Sequence, residues 1–307
     1  MAENANDIRH VFDRRAVRRR RDRAAAAFGA HDFLFREIAD RLCERLEDVR
    51  RGFPAALDLG SHGGVLAATL AGRGGIERLV EADLSPVMAA RGTGPLRLAA
   101  DEEALPFADA SFDLALSCLS LHWVNDLPGA LVQIRRALKP DGLFLAAMLG
   151  TGTLDELRGA WIEAESAEEG GVSPRVSPFA DLSDAAALLQ RAGFALPVAD
   201  ADTITVTWPD PFALMRELRG MGETNAAEGR RRTPSRRGTL AAAAAAYAER
   251  HADADGRIPA TFRVLYLSGW APAADQPKPL RPGSAQARLA DALDAEERPA
   301  GDKARPR

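Results

Sequence analysis

The side chains best able to do chemistry in this sequence fall in three short stretches. The first is LDLGSHGGVLAATL, residues 57–70, where Asp58, Gly60, Ser61 and Gly64 lie in a glycine turn between an apolar strand and a helix. Such a turn aims backbone N–H groups at a nucleotide-like ligand. The second is the acidic end of the next strand. Asp83 stands 19 positions after Gly64 there and can accept both hydroxyls of a ribose. The third is DEEALPFADASFDLALSCLSLHWVND, residues 101–126. It offers Asp101 to an adenine amino group, Leu105, Pro106 and Phe107 as an apolar wall, and His122 just beyond a strand.

The order of residues in the loop narrows the ligand. His62 stands where a dinucleotide fingerprint requires glycine, and no lysine follows the last glycine as a phosphate loop requires. The strand, turn and Asp83 taken alone still suit a nicotinamide cofactor. If the His62 backbone takes a positive φ, it does so at a modest cost.

Positioning these groups calls for alternating strands and helices. The pattern predicts strands over 55–60, 76–83, 95–100, 112–120 and 143–149, with helices between them. Two further strands are predicted at 203–208 and 261–270, separated by a helical insertion over about 209–258. This order predicts an α/β fold, a Rossmann-like, doubly wound seven-stranded sheet with helices on both faces. The cofactor then lies at the carboxyl ends of the first strands. Ahead of the sheet, residues 1–53 form a helical extension. Residues 7–28 predict a basic helix crowded with arginines, and Phe35, Ile38, Leu42, Leu46 and Val49 mark the core face of a second helix. The fold domain spans 54–272, and the Pro- and Ala-rich residues 273–307 are expected to be disordered.

Composition excludes several classes. A net charge of −4 and basic segments without interleaved aromatics argue against a nucleic-acid binder. No apolar run is long enough to span a membrane. Cys43 and Cys118 are too few for a disulfide framework and fit a reducing compartment, so a cytoplasmic location is expected. Two basic segments, the first helix and GRRRTPSRR at 229–237, read either as solvated surface or as docking sites.

With LDLG, EADLSPVM, the DEEALPF stretch and ALKPDGLF in this order, residues 54–150 resemble the class I S-adenosylmethionine-dependent methyltransferases, type 11 branch. The resemblance implies that Asp58 and Gly60 lie beside the amino-acid portion of the cofactor, with Ser61 in the loop and Gly64 at the helix start. It further implies Asp83 at the ribose, Leu84 against the adenine, Asp101 and Glu102 at the adenine edge, and Ser117 facing the methionine end. His62 departs from the family's C-G-x-G pattern.

FDRRAVRRRRDRAAAAFGAHDFL and LSLHWVNDLPGALVQIRRALKPDGLFLAAMLGTGTLDELR are similar to the mitochondrial complex I assembly factor 5 family and its bacterial relatives. That group is close to the malonyl-acyl-carrier-protein methyltransferases. The resemblance implies methyl transfer to a protein or carboxylate acceptor, or hydroxylation of an arginine in a complex I subunit. A non-catalytic cofactor-binding module is a third alternative. The partner would be a complex I subunit or another protein acceptor, reached at the membrane surface without a spanning segment. Hydroxylation usually draws on a metal or flavin. His10, His31, His62, His122 and His251 are scattered, with no H-x-D or H-x-E pattern. Methyl transfer needs mainly an acceptor held in line. His122 is then either a general base, with Trp123 and Asn125 as positioners, or a packing residue closing the pocket.

Overall fold

The structure, a computed structural model, describes residues 10–276, 289–292 and 294–295. The chain divides into two units, residues 1–272 and 273–307. In the second unit the described part includes a short helix, Leu289–Ala292. Most of the tail expected to be disordered lies outside the described residues.

The first unit is built on a seven-stranded sheet of order β3-β2-β1-β4-β5-β7-β6. The strands are β1 (Ala55–Leu59), β2 (Arg78–Asp83), β3 (Leu96–Ala99), β4 (Phe112–Cys118), β5 (Leu138–Leu149), β6 (Ala195–Trp208) and β7 (Ile258–Trp270). β1 to β5 pair in parallel, and β7 runs antiparallel to both β5 and β6. The chain order reverses between β1 and β4, the place where ligands bind in such sheets.

The helices are α1 (Arg14–Ala24), α2 (Phe33–Glu47), α3 (Val65–Leu70), α4 (Pro86–Ala90), α5 (Leu127–Ala137), α6 (Asp155–Glu169), α7 (Leu182–Arg191), α8 (Pro211–Gly220) and α9 (Arg237–His251). Local sequence explains their starts. Asp126 caps α5 by accepting from Gly129 N at 2.9 Å, and Leu127, Ala130, Leu131, Ile134 and Ala137 then face the sheet at helical spacing. Ser85 caps α4 from Met88 N. On α2 the residues Phe35, Ile38, Leu42 and Leu46 are buried as their spacing requires. One core cluster joins α2, α6, α8 and α9 to the sheet, and the other joins α5 and α7 to it.

Several elements differ from the sequence expectation; β5 begins at Leu138 and takes in residues 139–142. α1 spans Arg14–Ala24, with Asp13 capping it and Phe12 bridging Ala227, and residues 7–9 of the predicted helix lie outside the described residues. β6 begins eight residues earlier than predicted. Its Asp200 and Asp202 are poor strand formers, but they sit on an edge strand and pair with Arg45 and Arg41 of α2. Cys43 and Cys118 are free and buried.

Candidate functional site: a glycine loop, an arginine latch and a lined cavity

The loop after β1 has the backbone its glycines permit. Gly60, Gly63 and Gly64 take φ of 78°, 74° and 87°, and His62 takes 45°. A Cβ on Gly60 would fall 2.2 Å from Cβ of Ser120, so the loop and the end of β4 touch through that glycine. The His62 ring is buried against Phe35, with centroids 4.6 Å apart. Burial and then the Arg21 charge lower its pKa to about 3, so the ring is neutral near pH 7.

Beneath the loop, four buried polar atoms have no hydrogen-bond partner: both carboxylate oxygens of Asp58, Ser61 Oγ and His62 Nδ1. Burial, followed by the neighbouring charges of Glu81 and Asp83, pushes the Asp58 carboxyl well above its ordinary range. A ligand ammonium would relieve that cost. These atoms and the glycine cradle therefore fit the amino-acid end of S-adenosylmethionine. Ser117 lies close by, but its Oγ donates to Leu59 O at 2.8 Å and ties β4 to β1.

At the nucleoside end, two arginines of α1 hold the acids. Arg14 and Arg21 are seven residues apart and so share one face of the helix. Arg21 is fully buried, with Nη1 3.4 Å from Asp83 and 3.5 Å from Glu102, and Nη2 3.1 Å from Ser120 Oγ. Arg14 pairs with Asp101 at 2.6 Å and also with Glu102. Asp83 further accepts from His62 N at 3.0 Å and Ser85 N at 2.8 Å. Burial raises the Asp83 pKa and outweighs Arg21. For Glu102 the balance reverses: burial would raise its pKa, but Arg14 and Arg21 bring it to about 2. Leu84 packs beside Phe12, Val17 and Trp123. In this conformation Asp83, Asp101 and Glu102 bond to the chain's own arginines.

Beyond α1 lies a cavity of about 610 Å³. Its walls include Trp123, Trp161, Phe179, Met215 and Met221, and two acids, Asp13 and Glu223, are in the lining. Glu223 Oε2 accepts from His122 Nε2 at 3.0 Å and from Trp123 Nε1 at 2.9 Å, while Oε1 is buried without a partner. Burial would raise the Glu223 pKa, but the His122 hydrogen bond and the charges of His122 and Arg21 lower it, so it stays a carboxylate. Leu149 N donates to His122 Nδ1 at 3.4 Å, which assigns the ring proton to Nε2. Both His122 nitrogens are thus engaged, and the ring packs behind the cavity lining, against Trp123 and Phe179 as well as Glu223.

Asn125 does separate work. Its Oδ1 accepts from Val11 N and Phe12 N, both at 2.8 Å, and so holds the segment leading into α1. The sequence reading passed over Arg14, Arg21 and Glu223. The arginines were masked by five others on the same helix, and Glu223 is a single acid in the stretch RGMGETN. Among the described residues no helix is long and apolar enough to cross a membrane.

Comparison with known proteins fits this architecture. The profile of a methyltransferase-domain family matches residues 57–146. The zebrafish (Danio rerio) protein named arginine-hydroxylase NDUFAF5, mitochondrial, is 43% identical over 92% of this chain and 89% of its own length. The human protein of that name is 42% identical over 90% of this chain and 81% of its own. A malonyl-[acyl-carrier protein] O-methyltransferase of Halorhodospira halophila is 39% identical over 87% of this chain and 90% of its own. The crystal structure of YcgJ from Bacillus subtilis shares the fold, with a TM-score of 0.53 at 15% identity over 76% of this chain and 98% of its own. The expectation of a cytoplasmic protein is corrected by these findings, because the zebrafish and human relatives are named as mitochondrial. The chain belongs to the NDUFAF5 family, whose framework is the methyltransferase fold.

Proposed function

We propose that this protein hydroxylates an arginine side chain of a respiratory complex I subunit. The observation that carries the reading is Glu223 Oε1, a buried carboxylate oxygen without a partner on an aromatic-walled cavity. A guanidinium suits this place. It carries donors in a planar fork, and it stacks on aromatic faces. The name of the zebrafish and human relatives supports the same substrate.

In hydroxylation a C–H bond of the arginine becomes C–OH. One oxygen atom of dioxygen enters the product. The other leaves as water, with two electrons and two protons from a separate two-electron organic reductant. The chain's contribution is to hold the guanidinium on Glu223, with His122 and Trp123 fixing that carboxylate, and to exclude water with the apolar walls.

A second reading, methyl transfer, is favoured by the glycine loop and the unpartnered Asp58. S-adenosylmethionine, when bound, supplies an activated methyl group on a sulfonium. Asp58 and the loop N–H groups would hold its amino-acid end, and Asp83 and Asp101 its nucleoside once released from Arg21 and Arg14.

Intact masses of complex I subunits from wild-type and gene-deletion cells test both. A subunit lighter in the deletion by one oxygen supports hydroxylation. A difference of one methyl group supports the second reading. Identical subunits in a normally assembled complex would remove hydroxylation of a subunit and leave only methyl transfer to an acceptor outside complex I.

A further inference from the structure

The mouth of the cavity is strongly basic on a chain that is acidic overall. Arg19, Arg20, Arg175, Arg230, Arg231 and Arg232 line it, against only Asp13 and Glu223 among the lining carboxylates, while the whole chain carries −4. Some of this charge is neutralised in place. Arg175 pairs with Glu165, Arg230 with Asp13 at 2.7 Å, and Arg231 with Glu169. The rest is not. Arg19 is exposed and has no ion-pair partner among the described residues. Arg20 is half-buried, and among the described residues its side chain donates to the carbonyl of Thr224, at 2.8 Å, with no carboxylate partner. Burial, and then repulsion from Arg230 and Arg23, lowers its pKa to about 10, so an added anion would relieve it. Arg232 has an exposed partner, Glu228, whose hold in water is weak.

This rim creates a problem for the substrate assigned above. An arginine approaching Glu223 must first pass a ring of like charge. Acidic residues beside it on the same polypeptide would cancel that barrier and steer the approach. An extended chain advances about 3.5 Å per residue, so residues two to four positions from the arginine can reach the rim while its side chain enters the cavity.

We propose that the rim formed by Arg19, Arg20 and Arg232 docks an acidic stretch of the partner polypeptide, flanking the arginine that enters the cavity. This rests on the arginine reading of the cavity, and the test separates the two. Four labelled peptides of about eleven residues are compared by fluorescence anisotropy on the full chain, with centre Arg or Gln and flanks Asp/Glu or Asn/Gln. The acidic flanks are expected to tighten binding about tenfold at about 50 mM salt, whatever the centre, and to lose most of that gain at about 300 mM. The R19Q/R20Q/R232Q variant is expected to lose the flank effect and to bind the neutral peptides as before. Equal affinity for acidic and neutral flanks, or a gain that survives high salt, would overturn the docking surface. An effect of the centre without one of the flanks would leave Glu223 as the arginine site and remove only the rim. A flank effect with no preference for a central Arg would keep the rim and remove the arginine reading.

Discussion

Glu223 and His122 stand 3.0 Å apart, and Glu223 Oε1 is left buried without a partner on a residue that lines the cavity. The pair divides the labour: His122 orients, and Glu223 presents the charge. E223Q keeps the shape and removes the charge. It is expected to weaken binding of an arginine-centred peptide at least tenfold, the scale of a lost hydrogen bond to a charged group. It should leave a glutamine-centred peptide unaffected. Anisotropy titration measures both.

His122 acts through Glu223, so its removal should show in turnover, not in cofactor binding. H122A is expected to lower kcat at least tenfold with S-adenosylhomocysteine affinity within about twofold of wild type. H122N, which retains a donor, should recover part of the loss. Turnover unchanged in H122A would remove His122 from the mechanism.

Arg21 and a ribose would compete for Asp83. R21Q is expected to bind S-adenosylhomocysteine several-fold tighter in calorimetric titration, and D83A several-fold weaker than wild type. Weaker binding by R21Q would instead make Arg21 a ligand of the cofactor.

Glu102 anchors α1 to the sheet. Its folded pKa of about 2 lies below its ordinary 4.5. The anchoring is therefore complete above about pH 4.5 and is lost as pH falls toward 2. E102Q removes the buried charge that Arg14 and Arg21 share, leaving Arg14 to Asp101 and Arg21 to Asp83 alone. It is expected to cost about 3 kcal/mol in urea unfolding at pH 7. A loss under about 1 kcal/mol would mean that the latch is not closed in solution.

His62 works in a different acid range. Its folded pKa of about 3 lies below its ordinary 6.5, so the unfolded chain binds a proton that the folded chain refuses. Stability should fall as pH drops from about 6.5 toward 3. The slope is up to ~1.4 kcal/mol per pH unit. H62N, which tolerates the positive φ, should lose this slope while sacrificing ring packing on Phe35. A slope unchanged in H62N would assign the acid sensitivity elsewhere.

The sequence by itself determined the fold and the glycine loop after β1. Those rest on local signals: apolar runs for β1 to β5, glycines where φ is positive, and Asp83 and Asp101 at strand ends. Caps such as Asp126 and Ser85 act within three residues of sequence. The early part of β6 was not legible, because its aspartates are tolerated only by pairing with arginines more than 150 residues away. The partners of the acids were hidden for the same reason. Which of seven arginines on one helix turns inward depends on where that helix lies, and Arg21 meets Asp83 across 62 residues of chain. Glu223 joins His122 across 101. Residue types and spacing mark groups able to react, but long-range packing decides which are already paired and which remain free.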